Sequence, residues 1–198
     1  ALEPHDQRWL FALEMPAVVP PQASLYKDFT LRARRSVKRQ LRYDMVSTTR
    51  FYTGKENGTT LYDCTLLPEG YNPGARELAL ELTENAGTSE EKVRRILDFF
   101  RSGGFAYTLQ PPRLGRNSVD DFLFDSKRGY CEHFASAFTF MMRIVDVPTR
   151  IVGGYLGGER NPFANYLVVR QSDAHVWVEV WHSEKGWVRV DPTAVVVP

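Results

Sequence analysis

The chain has 198 residues, 43% of them hydrophobic and 13% aromatic, with a formal net charge of +1. These values suit one or two domains with a real core and exclude a disordered chain, and the small charge offers no general argument for binding nucleic acid. The sequence has no apolar run of 18 residues and no signal peptide at Ala1, so we expect an excised fragment without a membrane span. Its two cysteines, Cys64 and Cys131, exclude a disulfide scaffold and leave the compartment open.

Residues 1–70 predict a strand-rich N-terminal segment or small lobe. Apolar stretches at 9–19 and 31–51 alternate with charged residues. Asn57-Gly58 lies between two aromatic-containing stretches and predicts a β-hairpin turn. Cys64 follows in an apolar stretch and is interpreted as a packed strand residue.

Basic residues crowd one part of this segment, namely Arg32, Arg34, Arg35, Lys38, Arg39 and Arg42. A functional interpretation is contact with an anionic surface. A simpler interpretation, which we favour on the sequence alone, is a solvated strand face or a protected sheet edge.

The composition shifts to helix after a linker at 67–73, so residues 71–198 are predicted to form a second domain. One helix is predicted over 75–84, and a capping box of Thr88 with Glu91 predicts another through Phe100. A short extended piece at 105–107, a loop and a short helix from Ser118 follow. The next helix contains Cys131 and is closed by Pro148.

The helix around Cys131 is the stretch around which the rest of the chain is organised. Its apolar residues recur at helical spacing, so they can share one buried stripe: Phe134, Phe138, Met141, Met142 and Val145. Gly129 allows a bend just before the helix, which puts Cys131 in the first turn. Unpaired N–H groups and the helix dipole stabilise a thiolate there. Cys131 is therefore a candidate nucleophile, and the alternative is a buried, inert cysteine.

From residue 150 onward the sequence predicts strands at 150–155, 165–170, 174–181 and 187–191, with a flexible strand end in the glycine-rich run 153–158. Alternation puts His175 and Trp177 on one face and the valines on the other. A five-residue loop, 182–186, would place Asp191 diagonal to His175, close enough for a carboxylate to meet an imidazole. A four-residue loop would put Asp191 on the valine face, and we predict the five-residue loop.

A nucleophilic cysteine needs a base, and the base needs an orienting group. Cys131 at a helix start, His175 on a strand and Asp191 on the next strand supply this set in order. A histidine on a strand or an Asp-Pro turn is structural in many proteins, so the argument depends on the combination.

Three motifs together resemble those of the transglutaminase-like superfamily: Gly129-x-Cys131-x-x-x-Ala135, His175-x-Trp177-x-Glu179 and Asp191-Pro192-Thr193. The resemblance covers about residues 75–198, and the preceding part resembles bacterial membrane proteins of the TgpA type. It implies an α+β fold with a papain-like core, in which a catalytic helix packs on an antiparallel sheet. It also implies a triad of Cys131, His175 and Asp191, in a periplasmic domain of an inner-membrane protein.

The activity implied is thiol-dependent acyl transfer from a glutamine carboxamide of a protein or peptide to a lysine or other amine. Hydrolysis by a cysteine peptidase or amidase, acting on periplasmic or cell-wall peptides, is the alternative within the same chemistry. A non-catalytic binding domain with the same fold is the alternative of another class.

Other residues around the expected site have weaker assignments. The backbone N–H of Cys131 would be one oxyanion donor, and Tyr107 and Gln110 are candidates for the second. Trp177, Tyr130 and Tyr155 could wall a substrate pocket, although core packing explains each equally well.

No metal or cofactor is predicted. A zinc site of Cys131, His133 and His175 would lack a fourth ligand with sensible spacing, and metal binding would silence the thiol. The sequence contains no calcium-binding loop.

Overall fold

The structure is a computed structural model that describes residues 1–196. The chain divides into two compact units, Ala1–Tyr52 and a larger one that begins at Thr53. This division lies earlier than the boundary at residue 70 drawn from the sequence. Residues between these two boundaries make hydrogen bonds within the larger unit. The Cys64 carbonyl accepts from the Thr149 N–H at 3.1 Å, and the Leu66 carbonyl accepts from Arg143 at 2.9 Å.

The first unit is built from short strands: β1 (Trp9–Leu10), β2 (Met15–Val18), β3 (Ala23–Leu25), β4 (Leu31–Ala33) and β5 (Val46–Thr48). They form a three-stranded sheet in the order β1-β4-β3 and a two-stranded sheet of β2 and β5. Its core is small and consists of Leu10, Ala23, Leu31, Ala33 and Val37, with a few partly buried neighbours. The predicted strand-rich character is confirmed, although the strands are brief.

The second unit holds the helices α1 (Gly58–Asp63), α2 (Pro73–Leu82), α3 (Ser89–Ser102), α4 (Ser118–Asp120), which continues as a π-helical turn (Asp121–Ser126), and α5 (Cys131–Ile144). Within residues 1–196, none of the helices has the length and apolar character that a membrane crossing needs.

The strands of the second unit are β6 (Ala106–Tyr107), β7 (Arg128–Gly129), β8 (Thr149–Tyr155), β9 (Glu159–Arg160), β10 (Leu167–Val168), β11 (Ala174–His182) and β12 (Gly186–Val190). An antiparallel sheet in the order β12-β11-β8 forms its main strand layer. One short 3₁₀ turn, Gln171–Asp173, precedes β11, and another, Pro192–Val195, follows β12.

The hairpin predicted at Asn57-Gly58 is wrong, because these residues begin α1. The Asn57 side chain accepts a hydrogen bond from the Thr60 N–H at 2.8 Å and so caps the helix. Asparagine is as favourable at a helix N-cap as in a turn, and the local sequence did not separate the two uses. Cys64 is accordingly the C-cap residue of α1 and does not lie in a strand.

The core of the second unit forms between α5 and the sheet. The predicted stripe of α5 is buried, with Phe134, Phe138 and Met141 at 0% exposure, and it packs with Val178 and Val180 of β11. Fully burying one such side chain is worth about 1.5–3 kcal/mol, so this layer is a main source of stability. Edge-to-face contacts join Phe100 of α3 to Phe105 and to Phe134 of α5, and join Phe134 to Phe122 of the π-helical turn. The predicted α+β fold, a helix packed on an antiparallel sheet, is confirmed.

Candidate active site

Cys131 is the first residue of α5, and its side chain is buried. The chain turns tightly into the helix: a Cβ added at Gly129 would lie 2.6 Å from the Cβ of His133, so glycine is required there. The Tyr130 N–H donates to Nδ1 of His133 at 3.4 Å, which satisfies one N–H group at the helix start. The thiol therefore lies in the first turn of α5, where the remaining N–H groups favour a negative charge.

Tyr107 is brought to the thiol by a short parallel ladder. β6 pairs with β7 so that Tyr107 is opposite Gly129, and the Thr108 N–H donates to the Gly129 carbonyl at 2.8 Å. Its hydroxyl lies beside the backbone and the thiol of Cys131. Burial raises the pKa of Tyr107, and the charge on Cys131, followed by that of Asp191, raises it further. The phenol thus keeps its proton and can act as a donor.

His175 and Asp191 form a direct pair. Nε2 of His175 lies 2.6 Å from Oδ2 of Asp191, and both side chains are largely buried, at 12% and 16% exposure. A carboxylate accepts only, so Nε2 carries the proton and the lone pair is on Nδ1. The other oxygen of Asp191 accepts from the Thr193 N–H at 3.0 Å and caps the 3₁₀ turn Pro192–Val195. The Asp-Pro sequence therefore makes a turn and orients the imidazole at once.

The strand register that aligns this pair is the predicted one. Trp181 is opposite Trp187, and the ladder extends one pair further, to His182 and Gly186. The loop between the last paired residues is thus three residues long, shorter than the predicted five but equally odd. Gly186 has φ +76°, and an added Cβ would collide with Thr53, so only glycine fits this turn. Three-residue hairpin loops commonly place glycine in such a left-handed conformation.

Trp177 lies beside the imidazole of His175. Its ring stacks on that of His175, with centroids 6.4 Å apart and 24° between the planes. The guanidinium of Arg189 covers Trp177 at 4.1 Å, and Gly154 gives the indole room, since a Cβ there would lie 2.6 Å from the ring. The indole is thus held by Arg189 and by the space over Gly154, with its ring beside that of His175.

Two other aromatic residues proposed to wall the site have different neighbours. Tyr130 packs edge-on against His133, with centroids 4.5 Å apart, and the charge of Glu132 raises the pKa of Tyr130. It borders a cavity of about 240 Å³ that is also lined by Leu114, Ser118, Val119, Phe122, Glu132, His133 and Ser136. Tyr155 donates its hydroxyl to Gln171 at 2.9 Å. Gln110 is exposed in its loop.

Tyr107 thus lies near both Cys131 and Asp191, and Asp191 is bonded to His175. Within residues 1–196 no hydrogen bond joins the thiol to the imidazole, whose Nε2 is bonded to Asp191. Catalytic hydrogen bonds are often long in a resting site and tighten when substrate binds. In the same part of the chain, no three His, Cys, Asp or Glu side chains form a group that could hold a metal ion.

Two residues that matter here escaped the sequence analysis. Gly154 was read as part of a flexible strand end, but it pairs with His175 in the ladder and makes space for Trp177. Arg189, whose guanidinium covers Trp177, was not singled out. A tryptophan two residues after the histidine was the available signal, because a large ring on a strand needs a small neighbour on the adjacent strand.

Residues 76–192 match the transglutaminase-like superfamily, and residues 1–54 match the TgpA N-terminal domain. The chain belongs to the transglutaminase-like superfamily. It is 42% identical over its whole length to a protein-glutamine gamma-glutamyltransferase of Pseudomonas aeruginosa, of which it spans 30%. The crystal structure of the periplasmic domain of TgpA from that organism superposes with a TM-score of 0.95 at 42% identity, covering all of this chain and 69% of that one.

A second structure of the P. aeruginosa TgpA periplasmic domain, bound to ethylmercury, has a TM-score of 0.89 at 40% identity, covering all of this chain and 71% of that one. The agreement extends through both units, so the chain corresponds to a TgpA-type periplasmic domain. The predicted transglutaminase-like family and the periplasmic location are confirmed.

Proposed function

We propose that the chain is a thiol-dependent acyltransferase of transglutaminase type. The observation that carries the proposal is the 2.6 Å contact between Asp191 and Nε2 of His175, which leaves Nδ1 as the basic nitrogen. The nucleophile is Cys131, at the start of α5. The thiolate is the reactive form of cysteine, and the N–H groups at a helix start are a favourable position for a negative charge.

In the first step the Cys131 sulfur attacks the carboxamide carbon of a glutamine side chain. His175 takes the thiol proton at Nδ1 and then protonates the leaving nitrogen, so that ammonia departs and a thioester remains. Asp191 holds the imidazole orientation and stabilises its charged form through this cycle. In the second step a primary amine attacks the thioester carbon and His175 accepts a proton from that amine. The C–S bond then breaks, so the acyl group stays on the nitrogen, and the proton returns from His175 to the Cys131 sulfur.

The negative oxygen of the tetrahedral intermediate needs donors. The Cys131 backbone N–H supplies one, and we assign the second to the hydroxyl of Tyr107. The raised pKa of Tyr107 supports this role, because the phenol remains protonated over the pH range in which a thiolate enzyme works. Preorganised donors of this kind are each worth about 10²–10³ in rate.

The substrates follow from the chemistry and the location. A glutamine of a periplasmic protein or peptide would be the acyl donor, and a lysine side chain or another amine the acceptor. The P. aeruginosa relative is named a protein-glutamine gamma-glutamyltransferase, which supports the same pair. The chain spans only 30% of that relative, so we further propose that the whole protein is anchored in the inner membrane by segments outside this sequence.

A glutamine peptide and a labelled primary amine, incubated with the whole 198-residue chain, test the activity. We expect product in which the amine is joined to the peptide. Release of ammonia without amine incorporation would overturn transfer in favour of hydrolysis. Absence of both reactions, together with an inert Cys131, would favour a non-catalytic domain.

Thiol alkylation provides the matched control. Iodoacetamide at mildly acidic pH should modify Cys131 quickly and Cys64 slowly, because burial raises the pKa of Cys64. His175→Ala should slow only the reaction of Cys131. If both cysteines react at the same rate in the unsubstituted chain, Cys131 is not an activated nucleophile.

A further inference from the structure

We propose that residues 34–42 of the first unit, the basic segment, bind anionic phospholipid headgroups and hold this unit against the membrane surface. Positive charge is concentrated in this unit: residues 1–52 carry nine Lys and Arg against five Asp and Glu, whereas the remaining residues carry 16 against 19. The overall net charge of +1 is therefore the sum of a net charge of +4 in residues 1–52 and a net charge of −3 in the remaining residues. An anionic surface would attract the first unit selectively.

The cations of the basic segment are available to a partner. Arg34, Arg35, Lys38, Arg39 and Arg42 are all exposed. Among the described residues, none of the five forms an ion pair or a side-chain hydrogen bond, and the carboxylate of Glu3 accepts from Gln40 of the segment at 2.7 Å. Arg32, just before the segment, differs, because it stacks between the rings of Trp9 and Tyr26 and pairs with Asp28.

The backbone of the segment is fixed, so the charges are displayed in a set arrangement. Val37 is 4% exposed, and its N–H donates to the Gln7 carbonyl at 2.8 Å. Its carbonyl accepts from the N–H groups of His5 and Asp6 at 3.0 and 3.1 Å. Leu41 exchanges two backbone bonds with Leu2, at 2.7 and 2.9 Å. Binding therefore costs little ordering of the chain, which favours association.

The structure does not support the simpler interpretation, in which these cations cover a strand face or protect a sheet edge. Charged residues protect exposed edge strands, but β4 is the central strand of its sheet and ends at Ala33, before the segment begins. Nor do the five cations cover a strand face, because residues 34–40 form no strand. Their clustering is explained by neither sheet protection nor pairing within the unit.

Phospholipid is the polyanion that fits the setting. The chain corresponds to a periplasmic domain of TgpA type, and its first unit also exposes apolar side chains that suit an interfacial position, with Leu13 72%, Val18 59% and Val46 59% exposed. Basic residues near a lipid surface each contribute about 1 kcal/mol, or about a fivefold change in partitioning.

Sedimentation with vesicles tests the proposal. The whole chain should bind vesicles of phosphatidylglycerol and phosphatidylcholine at about 0.15 M salt, bind pure phosphatidylcholine weakly, and dissociate as salt rises. Changing all five cations to glutamine should lower partitioning about fivefold for each charge removed. Changing the four arginines to lysine should preserve binding, because a headgroup surface responds to charge.

A matched control removes five exposed cations of the second unit, Lys55, Arg94, Arg113, Arg160 and Lys185, with the same change in net charge. This variant should retain vesicle binding. Equal loss in both glutamine variants would overturn the proposal in favour of net charge alone. Failure of the unsubstituted chain to bind anionic vesicles, or loss of binding in the lysine variant, would also overturn it. Circular dichroism confirms that each variant folds, and none of these readouts depends on acyl transfer.

Discussion

The two ends of β11 carry histidine–carboxylate pairs that look alike and differ in what they can do. At one end Nε2 of His175 lies 2.6 Å from Asp191, and at the other Nε2 of His182 lies 2.6 Å from Glu90. Both imidazoles are mostly buried. Nδ1 of His182, however, accepts from the N–H groups of Glu184 and Lys185 at 3.0 and 3.2 Å.

The difference lies in the second nitrogen and in the carboxylate. His182 has both ring nitrogens engaged, one in a turn and one with a carboxylate that is 57% exposed, so it can only hold structure. Nε2 of His175 faces the largely buried carboxylate of Asp191, which makes a second hydrogen bond with the Thr193 N–H. Within residues 1–196, Nδ1 of His175 makes no hydrogen bond. A histidine–carboxylate contact is therefore insufficient evidence of catalysis, and an available base nitrogen is the distinguishing feature.

Replacing each histidine by alanine should give the largest difference between the two pairs. His175→Ala should reduce kcat/KM for amine incorporation by at least about 10³-fold, because the general base is lost. His182→Ala should leave kcat/KM within about twofold and lower the free energy of unfolding by about 1 kcal/mol, since it removes turn and ion-pair contacts. Steady-state kinetics and urea denaturation measure the two effects, and comparable kinetic losses in both variants would contradict the assignment.

Neutral replacement of each carboxylate is the next largest effect. Asp191→Asn should lower kcat about 10²–10⁴-fold, because an amide cannot stabilise the charged imidazole and can favour the wrong tautomer. Glu90→Gln should leave kcat unchanged, since its partner takes no part in proton transfer. Thermal unfolding checks that both variants keep the fold, and an Asp191→Asn enzyme with full kcat would remove Asp191 from the mechanism.

Tyr107 lies near the end of β11 that carries His175. Replacing Tyr107 by phenylalanine removes the hydroxyl alone. Tyr107→Phe should lower kcat about 10²-fold with KM little changed, because the donor acts mainly on the intermediate. The rate of Cys131 alkylation separates the possibilities, since it needs no oxyanion donor and should stay within a few-fold. A parallel fall in alkylation would make Tyr107 a determinant of thiol reactivity instead.

A third histidine, His133, should produce the smallest effect. Burial lowers its pKa below the ordinary 6.5, although Glu132 partly opposes the shift. The unfolded chain then binds a proton at a pH where the folded chain does not, so the free energy of unfolding falls as pH drops through 6.5 and levels off below the folded pKa. His133→Gln should reduce the difference in urea stability between about pH 7.5 and about pH 5.5. An unchanged difference would mean that His133 titrates normally.

The sequence predicted the second unit well because its signals were periodic and long. Helical spacing from Phe134 and strand alternation around Val178 each extend over two or more turns or pairs, and Thr88 caps α3 as expected through the Glu91 N–H at 3.2 Å. The pairing of His175 with Asp191 followed from parity alone. Any odd loop gives the same face, so the error in loop length did no harm.

Prediction failed where short signals have two uses. Asn57 suits both a turn and a helix cap, and in the structure it accepts from the Thr60 N–H and caps α1. Tyr107 was one of two candidates for the second donor, and the sequence could not choose between them, because the position of Tyr107 depends on the parallel pairing of β6 with β7. A two-residue ladder between distant segments leaves no periodic pattern in the sequence.

Because Asp191 makes two hydrogen bonds, the orientation of the His175 imidazole depends on the folding of the segment after β12. One of its oxygens fastens the turn after β12 while the other fastens the imidazole. A nascent or clipped polypeptide that stopped short of Thr193 could bury most of its core and still have a carboxylate free to swing away. Under the proposed acyl-transfer mechanism, the site would become active only after the segment that follows β12 has folded.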